Sequence, residues 1–301
     1  MSGIVVNSKS FDGLETVARQ KNAKGCFLNR GRHLKEKQIM QWLNNHNEDD
    51  FDFGEFATVQ LQVAPQQDSC DSDCKDTLCK AETKIAGGNE IIAACAQLVS
   101  DLPSSFREDL RLDAELIVKM CRNLCPTVPW ITLRLEIVQY NACWRWHQDG
   151  YVGRTIVSYV GPGTCTVEDQ DVDWKIFEQT MQDEKNDRCV PQERIKQMQT
   201  NSVLLMKGDS WPKICGNGLM HKSPSVYGNQ PPKRLLLKVD LNIFRPSLGM
   251  DEDGDSDEDA EEEENSDKDD PIHGSDARTL VKRLATSAGF KSAKAWKVRR
   301  R

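Results

Sequence analysis

Alternation of apolar and polar residues marks several β-strands in the second half of the chain. Residues 131–138 alternate with period two, which is typical of a strand that buries one face. Comparable short runs follow at residues 154–160, 202–206 and 234–241. One further alternating run, at residues 58–63, lies nearer the amino terminus. These patterns predict a chain whose second half is rich in strands.

Helical periodicity precedes most of these strands. Across residues 88–125, apolar side chains recur at spacings of three and four, and Pro103 and Pro126 interrupt the pattern. Helices followed by strands favour an α+β fold, arranged as a β-barrel or jelly roll buttressed by helices.

The chain of 301 residues has no apolar run near the roughly 18 residues needed to span a bilayer. Its first residues also lack the basic and apolar regions of a secretory signal. The 11 cysteines cannot all pair within one chain, because their number is odd. Reduced thiols, a cytoplasmic or nuclear location, no membrane contact and a monomeric state are therefore expected.

Charge is distributed very unevenly. Residues 251–270 contain 14 acids and one lysine, whereas residues 277–301 contain nine basic residues and no acid. Residues 1–250 are nearly neutral, with 30 basic and 32 acidic side chains. Like charges repel and offer no apolar surface to bury, so we predict a disordered acidic linker over 249–276. The basic tail, 277–301, is a candidate contact for nucleic acid or chromatin.

These boundaries divide the chain into five segments. In order, they are an N-terminal, partly ordered segment (1–65), a polar loop with cysteines (66–87), a β-rich domain with preceding helices (88–248), the acidic linker (249–276) and the basic tail (277–301). Cys70, Cys74 and Cys79 lie in the polar loop with no histidine nearby. A structural metal site and a polar loop with incidental thiols are the two interpretations of these cysteines.

A metal site is predicted around His147 and Asp149. In an extended segment, residues two positions apart point to the same side, so both side chains can reach one ion. His221, which follows the run 202–206 and a Gly-Asp turn, is the natural third ligand. Two histidines and one carboxylate form a face that leaves open positions for substrate and oxygen on Fe(II). The alternative is a core histidine at 147, followed by a simple turn.

Arg234 begins an apolar strand thirteen residues after His221. An arginine at this position would be partly buried. Its fork of donors then needs a planar anion such as a carboxylate as partner.

An H-x-D motif, a distant histidine and an arginine at the start of the last strand together resemble the Fe(II)/2-oxoglutarate-dependent dioxygenases. Within them, the H-Q-D triplet and the Gly-Asp turn look most like the AlkB-type branch. The stretch 133–241 also resembles a family called domain of unknown function 1826. The segments that carry this second resemblance are Ser158–Thr164, Leu205–Gly208, His221–Pro224 and Arg234–Leu237.

The dioxygenase resemblance implies that His147, Asp149 and His221 bind iron, and that Arg234 pairs with the far carboxylate of 2-oxoglutarate. It further implies a hydrogen bond to this co-substrate from Tyr140 or Asn141. AlkB-type repair enzymes carry a second arginine six residues after the first. Here that position is Asp240, which argues against nucleobase demethylation.

We therefore expect an α+β protein with a double-stranded β-helix core of the jelly-roll or cupin-like type and an N-terminal helical buttress. Its hypothesised activity is hydroxylation or demethylation of a substrate that the sequence does not identify, with Fe(II) as cofactor and 2-oxoglutarate as co-substrate. The alternative is a non-catalytic, cupin-like barrel that acts as a binding module and contacts partners through its charged C-terminal segments.

Overall fold

Two β-sheets and a set of helices make up the part of the protein that can be described. The computed structural model describes residues 3–31, 33, 35–45, 54–64, 86–138, 143–181, 183–212, 214, 217–224 and 233–245. All of them belong to one compact unit, Met1–Arg245. The predictions that lie outside the described residues concern Cys70, Cys74 and Cys79, the co-substrate residues Tyr140 and Asn141, the acidic linker 249–276 and the basic tail 277–301.

The elements follow one another in an order that mixes helices and strands. In the described ranges, the α-helices are α1 (Phe11–Ala18), α2 (Glu36–Asn44), α3 (Gly88–Leu98), α4 (Ser104–Leu124) and α5 (Trp174–Thr180). The strands of the same ranges are β1 (Ile4–Ser8), β2 (Ala23–Leu28), β3 (Gly54–Gln62), β4 (Trp130–Val138), β5 (Gly153–Val160), β6 (Cys165–Thr166), β7 (Lys196–Gln197), β8 (Val203–Lys207), β9 (His221–Lys222) and β10 (Arg234–Asn242). Short 3-10 helices span Asp169–Asp171, Glu184–Cys189 and Gln192–Arg194.

The larger sheet has seven strands in the order β1-β2-β8-β5-β10-β4-β3. Strands β1 and β2 pair in parallel, and the other neighbours pair antiparallel. The smaller sheet has the order β7-β6-β9. The α+β prediction is confirmed, and each long strand expected from the alternation pattern is present within two residues of its predicted start, except β3, which starts four residues earlier.

Strand β10 shows how the large sheet separates two environments. Its residues Leu235, Leu237, Val239 and Leu241 are buried in the main hydrophobic core. Alternate residues point to the other face, where Arg234, Leu236 and Lys238 line a cavity. This period of two follows from the pleat of a strand. The sheet therefore has two different faces. The face that packs into the hydrophobic core, called the outer face here, is apolar, and the face that lines the cavity, called the inner face, carries charged residues.

Helix α4 covers the outer face of the sheet. Its buried residues recur every three or four positions, as a helix that buries one stripe requires. They include Phe106, Leu110, Ala114, Ile117 and Cys121. The helix begins directly after Pro103 and ends at Leu124, two residues before Pro126, as the sequence predicted. In the described part of the chain, no helix is both long and apolar enough to cross a membrane.

The first 65 residues hold more structure than their pattern indicated. The alternation pattern predicted one strand there, whereas the described residues contain three strands and two helices. Strands β1 and β2 extend the large sheet beyond β8, and β3 extends it at the opposite edge. Helix α1 begins at a Ser10 cap, whose hydroxyl accepts a hydrogen bond from the Gly13 backbone N–H.

Several buried thiols are predicted to resist alkylation in the native state. Burial raises the pKa of Cys26, Cys121 and Cys125 to about 12 in each case. Because the thiolate is the reactive form, iodoacetamide at pH 8 should leave these three residues unmodified in the folded protein. Peptide mapping by mass spectrometry should then find all three modified after denaturation. Rapid labelling of Cys121 in the native protein would contradict the packing described here.

Candidate metal centre

His147 and His221 face each other as a pair of residues on neighbouring extended segments. The His147 N–H donates to the His221 carbonyl at 3.0 Å, and the His221 N–H donates to the His147 carbonyl at the same distance. This is an antiparallel bridge of the hydrogen-bonded type. The two imidazole rings consequently lie side by side, with their centroids 4.3 Å apart.

Asp149 joins this pair from two residues further along the chain. Its Oδ1 lies 3.8 Å from His147 Nε2, and its Oδ2 lies 3.5 Å from His221 Nε2. One ligand atom from each of the three residues falls within 4.8 Å of the other two. The structure thus brings together the three side chains that were predicted from the sequence as metal ligands, although the two histidines are far apart along the chain.

Backbone carbonyls orient both imidazoles. Nδ1 of His147 lies 2.9 Å from the Arg145 carbonyl, and Nδ1 of His221 lies 3.0 Å from the Leu219 carbonyl. A carbonyl can only accept, so each Nδ1 carries the hydrogen and donates it. Each Nε2 is left with its lone pair directed toward Asp149, which is the arrangement that metal-ligating histidines use.

The protonation states also suit a metal. Burial lowers the pKa of His221 to about 4, which keeps its imidazole neutral at physiological pH. Burial opposes ionisation of Asp149, but the Arg154 guanidinium, together with the imidazoles in the charged form that they take at low pH, outweighs it and brings the pKa of Asp149 down to about 2. A neutral imidazole and an ionised carboxylate are the forms that bind metal without first losing a proton.

One oxygen of Asp149 lacks a hydrogen bond. Oδ2 is buried and accepts none from the described residues. Arg154 Nη1 lies 3.5 Å from it but donates no hydrogen bond to it, and a buried polar atom without a hydrogen bond is costly and needs an explanation. A divalent ion between Asp149, His147 and His221 would satisfy this oxygen and use both free Nε2 lone pairs. The residues present therefore fit a transition-metal ion.

The Gly208-Asp209 turn holds the two ligand-bearing segments together. The Asp209 N–H donates to the Asp149 carbonyl at 2.9 Å, and its Oδ1 accepts from the Gly218 N–H at 2.5 Å. A Cβ at position 208 would lie 2.1 Å from the Tyr151 carbonyl oxygen, so only glycine fits there.

Arg234 lies in the cavity that both histidines line. Its side chain is buried, and Nη1 lies 3.4 Å from the Pro162 carbonyl. Gly161 sits against it with φ +78°, and a Cβ there would lie 2.6 Å from Arg234 Cγ. Burial lowers the pKa of this guanidinium. Among the described residues, Arg234 forms no ion pair.

The other charged residues that line the cavity do have partners. These pairs are Glu136 with Lys238 at 2.8 Å, Arg154 with Asp240 at 2.6 Å, and Lys222 with Asp187 at 2.5 Å. Asp240 thus binds an arginine of the neighbouring strand β5. The sequence pattern did not indicate Arg154, because only the register of β5 and β10 places it beside Asp240.

Residues 36–240 match the model of a family described as protein of unknown function, DUF1826. The chain belongs to this family. No curated protein matches the sequence of this DUF1826 member.

Two solved structures illustrate what the DUF1826 chain is similar to. One is the dioxygenase for auxin oxidation 1 (AtDAO1) from Arabidopsis thaliana in a complex with 2-oxoglutarate. It is 10% identical, with a TM-score of 0.40, and the match covers 80% of this chain and 92% of that chain. The other is a full-length Neurospora crassa protein in complex with alpha-KG, 9% identical, with a TM-score of 0.37 and coverage of 79% and 83%. Neither likeness is close enough to assign an activity.

In the DUF1826 protein, Asn186 hydrogen-bonds to the backbone of the segment that carries His147, on the side opposite His221. Its fully buried side-chain amide accepts from the Trp146 N–H and donates to the Trp146 carbonyl. The amide therefore pairs with Trp146 as a neighbouring strand would, while His221 pairs with His147 on the other side. No pattern in the sequence indicated Asn186, because it lies far along the chain in a short 3-10 helix.

Asn186→Ala is predicted to loosen this segment. It leaves two buried backbone groups of Trp146 without partners, so the free energy of unfolding should fall by about 1–3 kcal/mol. We also expect Co(II) to bind about 10–100-fold more weakly, as when the support of a metal ligand is lost. Urea denaturation and Co(II) titration measure the two effects. Asn123→Ala, which removes an exposed amide from α4, should change neither.

Proposed function

We propose that this DUF1826 protein is an Fe(II)- and 2-oxoglutarate-dependent oxygenase built on a double-stranded β-helix. The observation that carries the proposal is a shared cavity. It is lined both by two histidines that face Asp149 and by Arg234, a buried guanidinium with no ion pair among the described residues.

The path of the chain supports the double-stranded β-helix. From β4 onward, the chain passes back and forth between the two sheets. Strands β4, β5, β8 and β10 belong to the large sheet, and the His147 segment, then β6 together with β7, and then β9 belong to the small one. A chain that returns to the same sheet after each visit to the other winds into a jelly roll. This winding is why ligands distant in sequence meet at one edge of the small sheet.

The charges support a dianionic ligand. Four positive and four negative side chains either line the cavity or pair with a residue that does. The positive ones are Arg154, Lys222, Arg234 and Lys238, and the negative ones are Glu136, Asp149, Asp187 and Asp240. They sum to zero, so a divalent ion would leave the site with two positive charges. A 2-oxo dicarboxylate carries two negative charges, and Arg234 offers the planar fork that a carboxylate prefers.

The apolar lining supports the same ligand. Val138, Ile156, Met206 and Leu236 line the cavity and are all buried. They would contact the methylene groups of 2-oxoglutarate and exclude water from the space between Arg234 and the metal ligands. A dry site strengthens both the ion pair at Arg234 and the contacts at Asp149.

In the proposed reaction, His147, Asp149 and His221 hold the metal on one face. Bound iron would supply open positions for 2-oxoglutarate and O2 and would relay electrons to O2, of which two come from the decarboxylation of 2-oxoglutarate and two from the C–H bond of the substrate. The balance is that substrate, 2-oxoglutarate and O2 give hydroxylated substrate, succinate and CO2. Arg234 binds the far carboxylate and sets the depth of the co-substrate, which leaves its 2-oxo acid end toward the metal ligands.

Succinate formation tests the proposal without a known substrate. The full-length protein is incubated in air with Fe(II), ascorbate and 2-oxoglutarate, and succinate is measured by mass spectrometry. We expect the wild type to form at least about tenfold more succinate than His221→Ala. Loss of a metal ligand should weaken metal binding more than loss of a residue that merely orients a ligand. His33→Ala is the matched control, because His33 lies against Tyr159 and not in the cavity.

A wild-type signal equal to that of His221→Ala would contradict the oxygenase proposal. Metal analysis then tests the alternative directly. A folded protein that takes up neither Fe(II) nor Co(II) would instead be the non-catalytic binding module considered above.

A further inference from the structure

We propose that Arg154 is a second co-substrate-binding residue, which contacts the carboxylate of the 2-oxo acid at its metal-bound end. This inference rests on the proposed function, because it assigns a residue to the ligand proposed there. It concerns an arginine that has no place in the H-x-D, histidine and arginine pattern of the sequence.

Arg154 lies on the inner face of β5 and lines the same cavity as His147, His221 and Arg234. Its side chain is only 9% exposed. A guanidinium stays protonated at physiological pH, so Arg154 is a permanent positive charge inside the cavity.

Asp240 fixes the orientation of this guanidinium. Arg154 Nε donates to Asp240 Oδ1 at 2.6 Å, and Nη2 donates to Oδ2 at 3.3 Å. The two residues are direct neighbours in the register of β5 and β10. The Tyr151 ring covers one face of the guanidinium at 4.8 Å. Because Nε and Nη2 both point to Asp240, Nη1 points away from it.

Nη1 is directed at the metal site. It lies 3.5 Å from Asp149 Oδ2, the same oxygen that lies 3.5 Å from His221 Nε2. Within the described residues, Nη1 donates no hydrogen bond. A donor that neighbours a metal-ligating oxygen is within reach of an anion bound to that metal beside the oxygen. Charge-assisted hydrogen bonds of this kind are the stronger ones in proteins.

Arg154 and Arg234 stand at different ends of the cavity. Asp240, the neighbour of Arg154, is six residues from Arg234 along β10, which is roughly 20 Å of extended chain. Arg234 is thus placed for the far carboxylate, and Arg154 for the carboxylate next to the metal. Both side chains extend from these backbone positions into one cavity, so each cation can meet one end of a ligand that has a negative group at each end.

The experiment compares two 2-oxo acids on the full-length protein loaded with Co(II), which takes the place of Fe(II) without turnover. The acids are 2-oxoglutarate and 2-oxobutyrate, which lacks the far carboxylate, and binding is followed by the visible absorption of Co(II). The test variant is Arg154→Gln/Asp240→Asn, which removes the buried pair without leaving one charge unpaired. The matched control is Arg134→Gln, since Arg134 also contacts Asp240, at 3.6 Å, but does not line the cavity, and its loss leaves the pair of Arg154 and Asp240 intact.

We expect the test variant to bind both acids at least about tenfold more weakly, as for loss of a hydrogen bond between charged groups. Co(II) alone should bind at least as tightly as in the wild type, because a positive charge beside it is gone. The control should bind both acids within about threefold of the wild type, as expected for a partly exposed charge.

Three outcomes would overturn this assignment. One is unchanged affinity of the test variant for both acids. Another is weaker binding of 2-oxoglutarate alone, which would place Arg154 at the far carboxylate. The third is loss of Co(II) binding, which would make Arg154 a support of Asp149 only. If the wild-type Co(II) protein binds neither acid, the proposed function itself fails.

Discussion

Asp149→Asn is expected to abolish metal binding and succinate formation together. The carboxylate is the anionic member of the three candidate ligands, and its pKa of about 2 keeps it ionised at any physiological pH. Asparagine keeps the shape but removes the charge and one of the two acceptor oxygens. Since loss of a ligand's support already costs about 10–100-fold in metal affinity, we expect a loss of at least about 100-fold here.

Co(II) titration and the succinate assay give the two readouts for Asp149→Asn. Asp171→Asn is the matched control, because Asp171 pairs with Arg194 on a surface loop and should leave both readouts unchanged. Retention of Co(II) affinity within a few-fold by Asp149→Asn would exclude Asp149 as a ligand. Retained affinity with lost turnover would assign it a different part in the reaction.

The long strands could be predicted because their sequences record which face is buried. In β10, leucines and valine at alternate positions indicate the core face, and the pattern needs no knowledge of the neighbours. Strand β2 shows the opposite case. Its sequence, Ala-Lys-Gly-Cys-Phe-Leu, is buried throughout except for a half-buried Phe27, and it contains a buried lysine. Lys24 is acceptable there only because Asp169, far along the chain, pairs with it at 2.5 Å.

The strands of the small sheet could not be predicted from hydrophobic periodicity, for a simpler reason. Strands β6, β7 and β9 each have two residues, which is too short to show any alternation. They exist because neighbouring backbones pair, as when Thr166 of β6 lies opposite His221. Prediction of His221 as a partner of His147 therefore depended on residue type and chain order, and not on a predicted strand.

The residues of the candidate site likewise fall into those that local sequence could predict and those that it could not. His147 and Asp149 could be placed on one side of an extended segment from their spacing alone. The pairing of Arg154 with Asp240 depends on strand register, and the contact of Asn186 with Trp146 depends on a loop. Tertiary pairings of this kind have no local signal. Residues that support the site are consequently harder to predict than the residues that form it.

Arg234→Gln is expected to separate co-substrate binding from metal binding. The far carboxylate of 2-oxoglutarate would lose its charged partner, so the KM for 2-oxoglutarate should rise by about 10–150-fold, the equivalent of ~1.5–3 kcal/mol. Co(II) affinity should stay within a few-fold, because Arg234 contacts none of the three candidate ligands. Binding of 2-oxobutyrate to the Co(II) protein should also be unchanged, since this acid has no far carboxylate.

Two further variants refine this result. Arg234→Lys keeps the charge but loses the fork, so its KM should lie between those of the wild type and Arg234→Gln. Gly161→Ala leaves Arg234 in the sequence but puts a Cβ within 2.6 Å of its Cγ, at a backbone φ of +78° that disfavours alanine. It should therefore raise the KM for 2-oxoglutarate as well.

Arg194→Gln is the control for these variants, because the Arg194 side chain is 58% exposed and pairs only with Asp171 among the described residues. An equal loss of 2-oxoglutarate and 2-oxobutyrate binding in Arg234→Gln would mean that Arg234 shapes the cavity and does not bind the far carboxylate. If Arg234→Gln instead weakens binding of 2-oxoglutarate alone, and the Arg154→Gln/Asp240→Asn variant weakens binding of both acids, then Arg234 binds the far carboxylate. Arg154 then binds the carboxylate at the metal end, which both acids share.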